Sequence, residues 1–574
     1  MGITALFVAL MRQRPLLWSA ALCLCAVASA HAQTISYHVS VPSPEQGWMR
    51  VELQLDEMPP VPLELNLSRY SPGRYAEHAF ARHVSNVEAR DASGATLALE
   101  HPSNSTWVIR RHGPAVRIQY TVTHTQLDGT YVAIDATHAH INMPAALMWV
   151  RGLDRTPVSV RVTLPQGQAW RVATQLFPGD EPLAFTAPNL QYLMDSPIEM
   201  SAFESRSFQV GDGGNVSVTL VVHHGGTNQE LDGLASDVRR IVRAAADVFG
   251  EWPAFDTGRY TFLADYMPSA TPDGMEHRNS AVLTVPGSIR SHRDDLLDGF
   301  AHEFFHAWNV ERIRPRSLEP FAFNRPNRSG ELWLAEGFTE YYGPLSLTRA
   351  GLHDISWLAV RLGALVADVE GSAARRSRSL EAMSRMATDI DGAEPARVAA
   401  AGPFVSYYSW GAVVALALDL ELRARTNGQA SLDDVMRQLW TRFGRLDAPA
   451  AGIVARPYVF EDVRRAIADV SGDPGFARRF LARYVRGSDV PDLRPLLMRV
   501  GLAWRTVGGR TVLRPIELDG AALSASQRDA RRAWLGPAGT DARAGQEKRT
   551  PRASFDVGSR ARLMARISSR PASP

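Results

Sequence analysis

Two histidines, His302 and His306, stand four residues apart in "GFAHEFFHAW" (residues 299–308), with Glu303 directly after the first. Positions four apart share one face of a helix, so both imidazoles can converge on one cation. Glu303 is offset enough to reach a water on that cation without reaching the cation itself. This trio suits metal-assisted hydrolysis, the imidazoles holding the ion and the carboxylate acting as general base. A hydrolytic zinc normally keeps three protein ligands and one open position, so the pair is one ligand short. Glu336, in "SGELWLAEGFTEYYG" (residues 329–343), is the candidate third ligand. Glu340, one turn later, either accepts the free ring N–H of a ligand histidine or is an ordinary solvated carboxylate.

Helices must carry these groups. Ser291 is a candidate cap for one whose first turn holds Asp294 and Asp295, with Leu296, Leu297, Phe300 and Phe304 as its buried stripe. Ser329 is the candidate cap of a second helix, from which Glu336 and Glu340 both project.

The 574 residues are too many for one core and predict several domains. From 33 to 225, short alternating apolar runs such as "MRVELQLDEMPP" and "VSVRVTLPQGQAW", broken by Pro and Gly, predict an antiparallel β sandwich. From 226 to 490 the pattern is mixed and then mostly α: "NQELDGLASDVRRIVRAAADVFG" has helical spacing, while "RYTFLADYM" and "SAVLTVPG" read as strands. Residues 491–574 contain a strand candidate, "GRTVLRPIEL", and end in a basic tail rich in Arg, Ala, Ser, Gly and Pro, expected to be disordered and solvated.

Composition narrows the function. A formal net charge of +2, with 21% charged residues, provides no basic field for nucleic acid or anionic membranes. Arg12 and Arg14, the apolar run "PLLWSAALCLCAVASA" and the small-residue triplet ending at Ala32 read as an export signal over residues 1–32, with Met11 the expected initiator. The run is too short to span a bilayer comfortably, so no stable membrane anchor is expected after cleavage; the mature chain is placed in the periplasm or outside the cell. Both cysteines, Cys23 and Cys25, fall in that segment. A mature chain without thiols has neither a cysteine nucleophile nor thiolate ligands, which leaves His, Asp and Glu to hold a metal.

"HEFFHAWNVERIRP" followed by "LWLAEGFTEYY" resembles the glycyl aminopeptidase family of gluzincin zinc metallopeptidases, and "YSPGRYAEHAFARHV" and "DSPIE" are similar to that family's N-terminal β domain. The resemblance covers roughly residues 33 to 505. It implies a β sandwich joined to a thermolysin-like catalytic domain, with one Zn2+ held by His302, His306 and Glu336 and Glu303 as general base on zinc-bound water. It also implies an oxyanion-stabilising tyrosine three residues before a helix glycine, which matches Tyr408 and Gly411 in "FVSYYSWGAVV". Ser409 and Trp410 replace the charged pair usual at that place, and Tyr407 is the neighbouring alternative. Glu276, in "PDGMEHRNSAVL", is similar to the glutamate that anchors a substrate α-ammonium group, whereas His277 beside it has no expected metal role. Peptides with a free N-terminus, and a preference for N-terminal glycine and alanine, follow by the same resemblance. An endopeptidase of the same fold and a catalytically silent, metal-stabilised binding protein are the alternative functions. Family members commonly end in a PDZ domain; here "RRAWLGPAG" resembles the beginning of one, so an incomplete PDZ-like remnant, truncated or disordered, is expected over 510–574.

Overall fold

The computed structural model of the chain describes residues 33–391, 398, 400–445 and 450–540. The expected export segment with its two cysteines, and the basic tail beyond residue 540, lie outside the described residues. No helix among the described residues is long and apolar enough to cross a membrane.

The first part of the chain is the expected β sandwich. Strand Trp48–Asp56 shows how: Met49, Val51, Leu53 and Leu55 are buried while the residues between them are not, so every second side chain enters one core. This strand lies in a seven-stranded sheet, between Thr34–Ser40 and Val116–Thr123. Two four-stranded sheets complete the domain. Pairing is antiparallel except between Thr34–Ser40 and Val158–Thr163, which run parallel.

The change from β to α patterning near residue 225 is not where the sheets divide. Strands Glu204–Val210 and Val216–His224, grouped with the sandwich by their alternation, belong to a separate five-stranded sheet with Arg259–Tyr266, Ser280–Val285 and Asp273–His277. Alternation signals a half-buried strand but not its partner, so the misplacement is intrinsic to the pattern. Helix Asn228–Phe249 connects two parallel strands of this sheet, with a Thr227/Glu230 capping box at its start and Gly250 in left-handed conformation (φ 78°) at its end. Its stripe of Leu231, Leu234, Val238, Ile241 and Val248 joins the large second core.

The metal helix, Arg293–Phe305, rests on the same sheet, Phe300 meeting Phe262 edge to face at 4.7 Å. Its N-cap is His292 and not Ser291, whose hydroxyl instead bonds Ser288 and the His292 ring. The second expected helix is two: Leu332–Ala335 and Gly337–Arg349, meeting at Glu336. Ser329 does not cap it; the N-cap is Glu331, whose N–H the Ser329 hydroxyl accepts.

Residues 502–540 are ordered, which corrects the expectation of disorder over that stretch; a PDZ-like remnant is not shown among the described residues. Strands Leu502–Val507 and Arg510–Pro515 form a hairpin, followed by helix Ala525–Thr540; the hairpin packs on helix Ile355–Gly371 and the helix on Gly337–Arg349. Arg531 donates to the carbonyls of Val500 and Gly501 at 2.9 Å, and the Trp534 indole N–H donates to the Tyr341 hydroxyl at 2.9 Å. Few apolar residues are needed because Trp534 and Leu535, both fully buried, complete a core that already exists. Sequence patterning searches for an independent domain and is blind to such docking. Limited digestion is expected to leave the segment from residue 502 to 535 uncut. Trp534→Ala is expected to lower unfolding free energy by about 3–5 kcal/mol in urea titrations.

Candidate metal centre and active site

Glu336 sits at the break between two helices, and the break is built by close packing. A Cβ on Gly337 would lie 2.4 Å from Gly411 Cα, and one on Gly411 would lie 2.4 Å from the Trp333 carbonyl oxygen. Helix Tyr407–Arg425 therefore crosses the Glu336 segment backbone to backbone, which only glycine permits. Asn309 fastens the same segment to the metal helix. Its amide donates to the carbonyls of Leu334 (3.0 Å) and Ala335 (3.1 Å) and to Thr339 Oγ1 (3.1 Å), filling the gap that the helix break leaves in the backbone ladder.

These contacts bring the three ligand candidates together. Glu336 Oε2 lies 3.7 Å from His302 Nε2 and 3.4 Å from His306 Nε2, and all three residues are buried. Donors on a tetrahedral zinc at about 2.0–2.1 Å stand about 3.4 Å apart, so this spacing suits one such ion. The orientation is suitable as well: His306 Nδ1 is 2.6 Å from the Asn309 carbonyl oxygen, which obliges Nδ1 to carry a proton and turns Nε2 toward Glu336, the nitrogen that a cation would take in exchange for a proton. That Nε2 is buried and has no hydrogen-bond partner among the described residues. Glu340 Oε2 stands 3.3 Å from His302 Nδ1, the position from which it orients the second imidazole. Glu303 presents a carboxylate oxygen within 4.8 Å of donor atoms on both histidines. The residues thus fit a divalent cation of the zinc class.

Electrostatics agree with that fit. Burial alone would raise the Glu336 carboxyl, but the charge of His306 and the two imidazole contacts hold it well below the usual range. Burial opposes charge on His306, yet Glu336 and Glu276 push it up to about 10. The site is rich in negative charge and favours a cation.

Glu276 lies on Asp273–His277, the edge strand of the five-stranded sheet, with a carboxylate oxygen within 4.8 Å of donor atoms of His306 and Glu336. Burial pushes its carboxyl up to about 8. His277, next in the strand, turns to the other face and places Nδ1 2.9 Å from Asp195 Oδ1, away from the centre.

The two tyrosines separate. Tyr407 commits its hydroxyl to Asp391 Oδ2 at 2.5 Å. The ring of Tyr408 stacks over that of His302 (centroids 6.3 Å, 24° between planes), and burial together with Glu336 raises its hydroxyl well above the ordinary phenol range. Tyr408 therefore remains a hydrogen-bond donor at neutral pH.

One residue in contact with the candidate ligands escaped the sequence reading. The buried Tyr75 hydroxyl donates to Glu336 Oε1, the oxygen not turned to the histidines, across 261 positions of chain. Tyr75 follows Gly73, which adopts φ 73° and approaches so closely that a Cβ there would lie 2.6 Å from Met275 Cγ and 3.1 Å from Glu276 Oε2. Between them Arg74 pairs with Asp273 and donates to Gly274 O at 3.1 Å. The sandwich thus inserts a loop among the ligand candidates. "YSPGRYAEHAF" stood out in the sequence, but no spacing ties it to the metal helix.

Models of one family match two stretches that together span half of the chain: the Peptidase M61 N-terminal domain over residues 36–202 and M61 glycyl aminopeptidase over 295–414. The chain belongs to the M61 glycyl aminopeptidase family. It is accordingly a metallopeptidase, and the M61 match contains His302, Glu303, His306, Glu336 and Tyr408. No curated protein matches the chain. Among solved structures, an aminopeptidase N family protein from Idiomarina loihiensis is similar in fold, with a TM-score of 0.73 at 24% identity, covering 82% of this chain and 79% of that one. An M1 zinc metallopeptidase from Deinococcus radiodurans is more distant, with a TM-score of 0.47 at 17% identity over 80% of this chain and 96% of its own.

Tyr75→Phe removes one hydrogen bond from Glu336 with little change in volume. Its affinity for zinc, measured by competition with a chelator, is expected to fall by about 10–100-fold.

Proposed function

We propose that this M61 family member is an exported, zinc-dependent aminopeptidase that removes N-terminal residues, small ones such as glycine and alanine, from peptides. The observation that carries the reading is the adjacency of a buried carboxylate, Glu276, to a three-donor metal centre built from His302, His306 and Glu336. A buried carboxylate is costly without a counter-charge, and an α-ammonium group supplies one through a charge-assisted hydrogen bond. A chain end held there lies next to the metal centre, so only the first peptide bond comes within reach.

Zinc, when bound, supplies Lewis-acid polarisation and acidifies water. Glu303 then takes the proton of the attacking water on its carboxylate and delivers it to the departing amine nitrogen. Tyr408 donates its hydroxyl to the oxygen that gains negative charge in the transition state, a contribution of about 3 kcal/mol. Glu340 and the Asn309 carbonyl hold the two imidazoles in the tautomer that presents Nε2. Tyr75 fixes the rotamer of Glu336 from the side opposite the histidines. Export rests on the arginines and apolar run of residues 12–30.

Glu303→Gln is expected to retain about one zinc in this centre while hydrolysis of a free dipeptide falls by several orders of magnitude. Full activity in that variant removes Glu303 as general base. The N-acetylated dipeptide is expected not to be cleaved by the unmodified enzyme, and cleavage at a comparable rate would show that Glu276 meets no ammonium and that the enzyme is an endopeptidase.

A further inference from the structure

A second set of metal-type donors lies in the layer between two sheets. The four-stranded sheet that includes Ile198–Ser201 and His138–Ile141 gives one face to the sandwich core through Ile198, Met200, Ala139 and Ile141. Strand alternation turns Glu199, His138 and His140 to its other face, and register sets Glu199 directly opposite His140. That face covers the five-stranded sheet, where Val221, Leu263 and Val282 form an apolar row with Phe203. Two residues further along, the row becomes His223, Asp265 and Thr284. An otherwise apolar inter-sheet layer is thus interrupted by imidazoles and carboxylates from both halves of the chain.

Their hydrogen bonding is incomplete. His140 and Glu199 are 0% exposed and Asp265 1%. Both ring nitrogens of His140, both carboxylate oxygens of Glu199, and Asp265 Oδ2 have no hydrogen-bond partner among the described residues. His140 Nδ1 is 3.7 Å from Glu199 Oε2, too far for a hydrogen bond. Yet one donor atom from each of His140, Glu199 and Asp265 lies within 4.8 Å of the other two. Buried carboxylates side by side are strongly unfavourable unless a cation or a proton stands between them. Around the trio, His223 Nδ1 lies 3.1 Å from Asp265 Oδ1, and the His138 ring lies 5.2 Å from that of His223.

We propose that His140, Glu199 and Asp265 form a second cation site, separate from the peptidase centre, that takes a divalent transition metal of the zinc class and clamps the sandwich to the catalytic sheet. One imidazole and two carboxylates are a ligand set that zinc accepts. The His140–Glu199 separation of 3.7 Å is slightly wider than the about 3.4 Å edge of a tetrahedral zinc site, a difference that side-chain torsions close on binding. His223 holds Asp265 Oδ1 and leaves Oδ2 without a partner, as an outer partner of a ligand does. This site does not depend on the aminopeptidase reading.

The test is zinc stoichiometry on the full chain, loaded with zinc, desalted and measured by elemental mass spectrometry. The unmodified protein is expected to hold two zinc ions per chain. His140→Ala and, separately, Glu199→Gln are expected to hold one and to keep peptidase activity. Glu336→Gln, aimed at the peptidase centre, is expected to keep the ion at His140, with an X-ray absorption spectrum of one imidazole and oxygen donors. Only one zinc in the unmodified protein, or a second zinc that survives both His140→Ala and Glu199→Gln, overturns the proposal. Should either substitution prevent folding, the unmodified stoichiometry and the Glu336→Gln spectrum still decide: a spectrum without an imidazole donor, or no zinc in that variant, overturns it equally.

Discussion

The mostly helical half of this chain is organised around one buried carboxylate. Glu336 faces two imidazoles with one oxygen and accepts a tyrosine hydroxyl with the other, at 2% exposure. A charge that deep is tolerable only while all of its partners are in place. Much of the surrounding architecture keeps them there. The metal helix is seated on the sheet by aromatic contacts, Asn309 joins it to the segment that bears Glu336, and the loop at Gly73 delivers Tyr75 from the other domain. Each fixes a different side of the same carboxylate.

The N-terminal sandwich consequently contributes to the candidate site and is not an appendage. Arg74 and Asp273 lock the loop to the edge strand that carries Glu276, so the residue proposed to hold the substrate's chain end and the residue that steadies Glu336 share one support. Two strands read as part of the sandwich belong instead to the catalytic sheet, which widens the surface over which the halves meet.

Much of this was legible in the sequence because local spacing carries it. His302, Glu303 and His306 are fixed by one helical turn, and the alternation that predicts the sandwich is a property of single strands. Tyr408 and Glu276 were reached through resemblance, and the structure sets both beside the ligand candidates. What was not legible depends on contacts between distant segments. Tyr75 has no periodic relation to the residue it touches, helix Ala525–Thr540 is too polar to read as a domain because it borrows a neighbour's core, and the break at Glu336 comes from a crossing with Gly411 that no local pattern encodes. The caps failed for a smaller reason: Ser291 and Ser329 have the right chemistry but bond within their own turns.

The glycine crossing also bears on how accurately Glu336 and Tyr408 are held. Gly337 follows Glu336, and Gly411 lies three positions after Tyr408, so the separation of that acid from that phenol is gauged where main chain touches main chain. Side chains hop between rotamers, whereas peptide planes in register barely flex. The alignment is therefore as stiff as the helices themselves, and it should hold through the small rearrangements that accompany loading and release of a substrate.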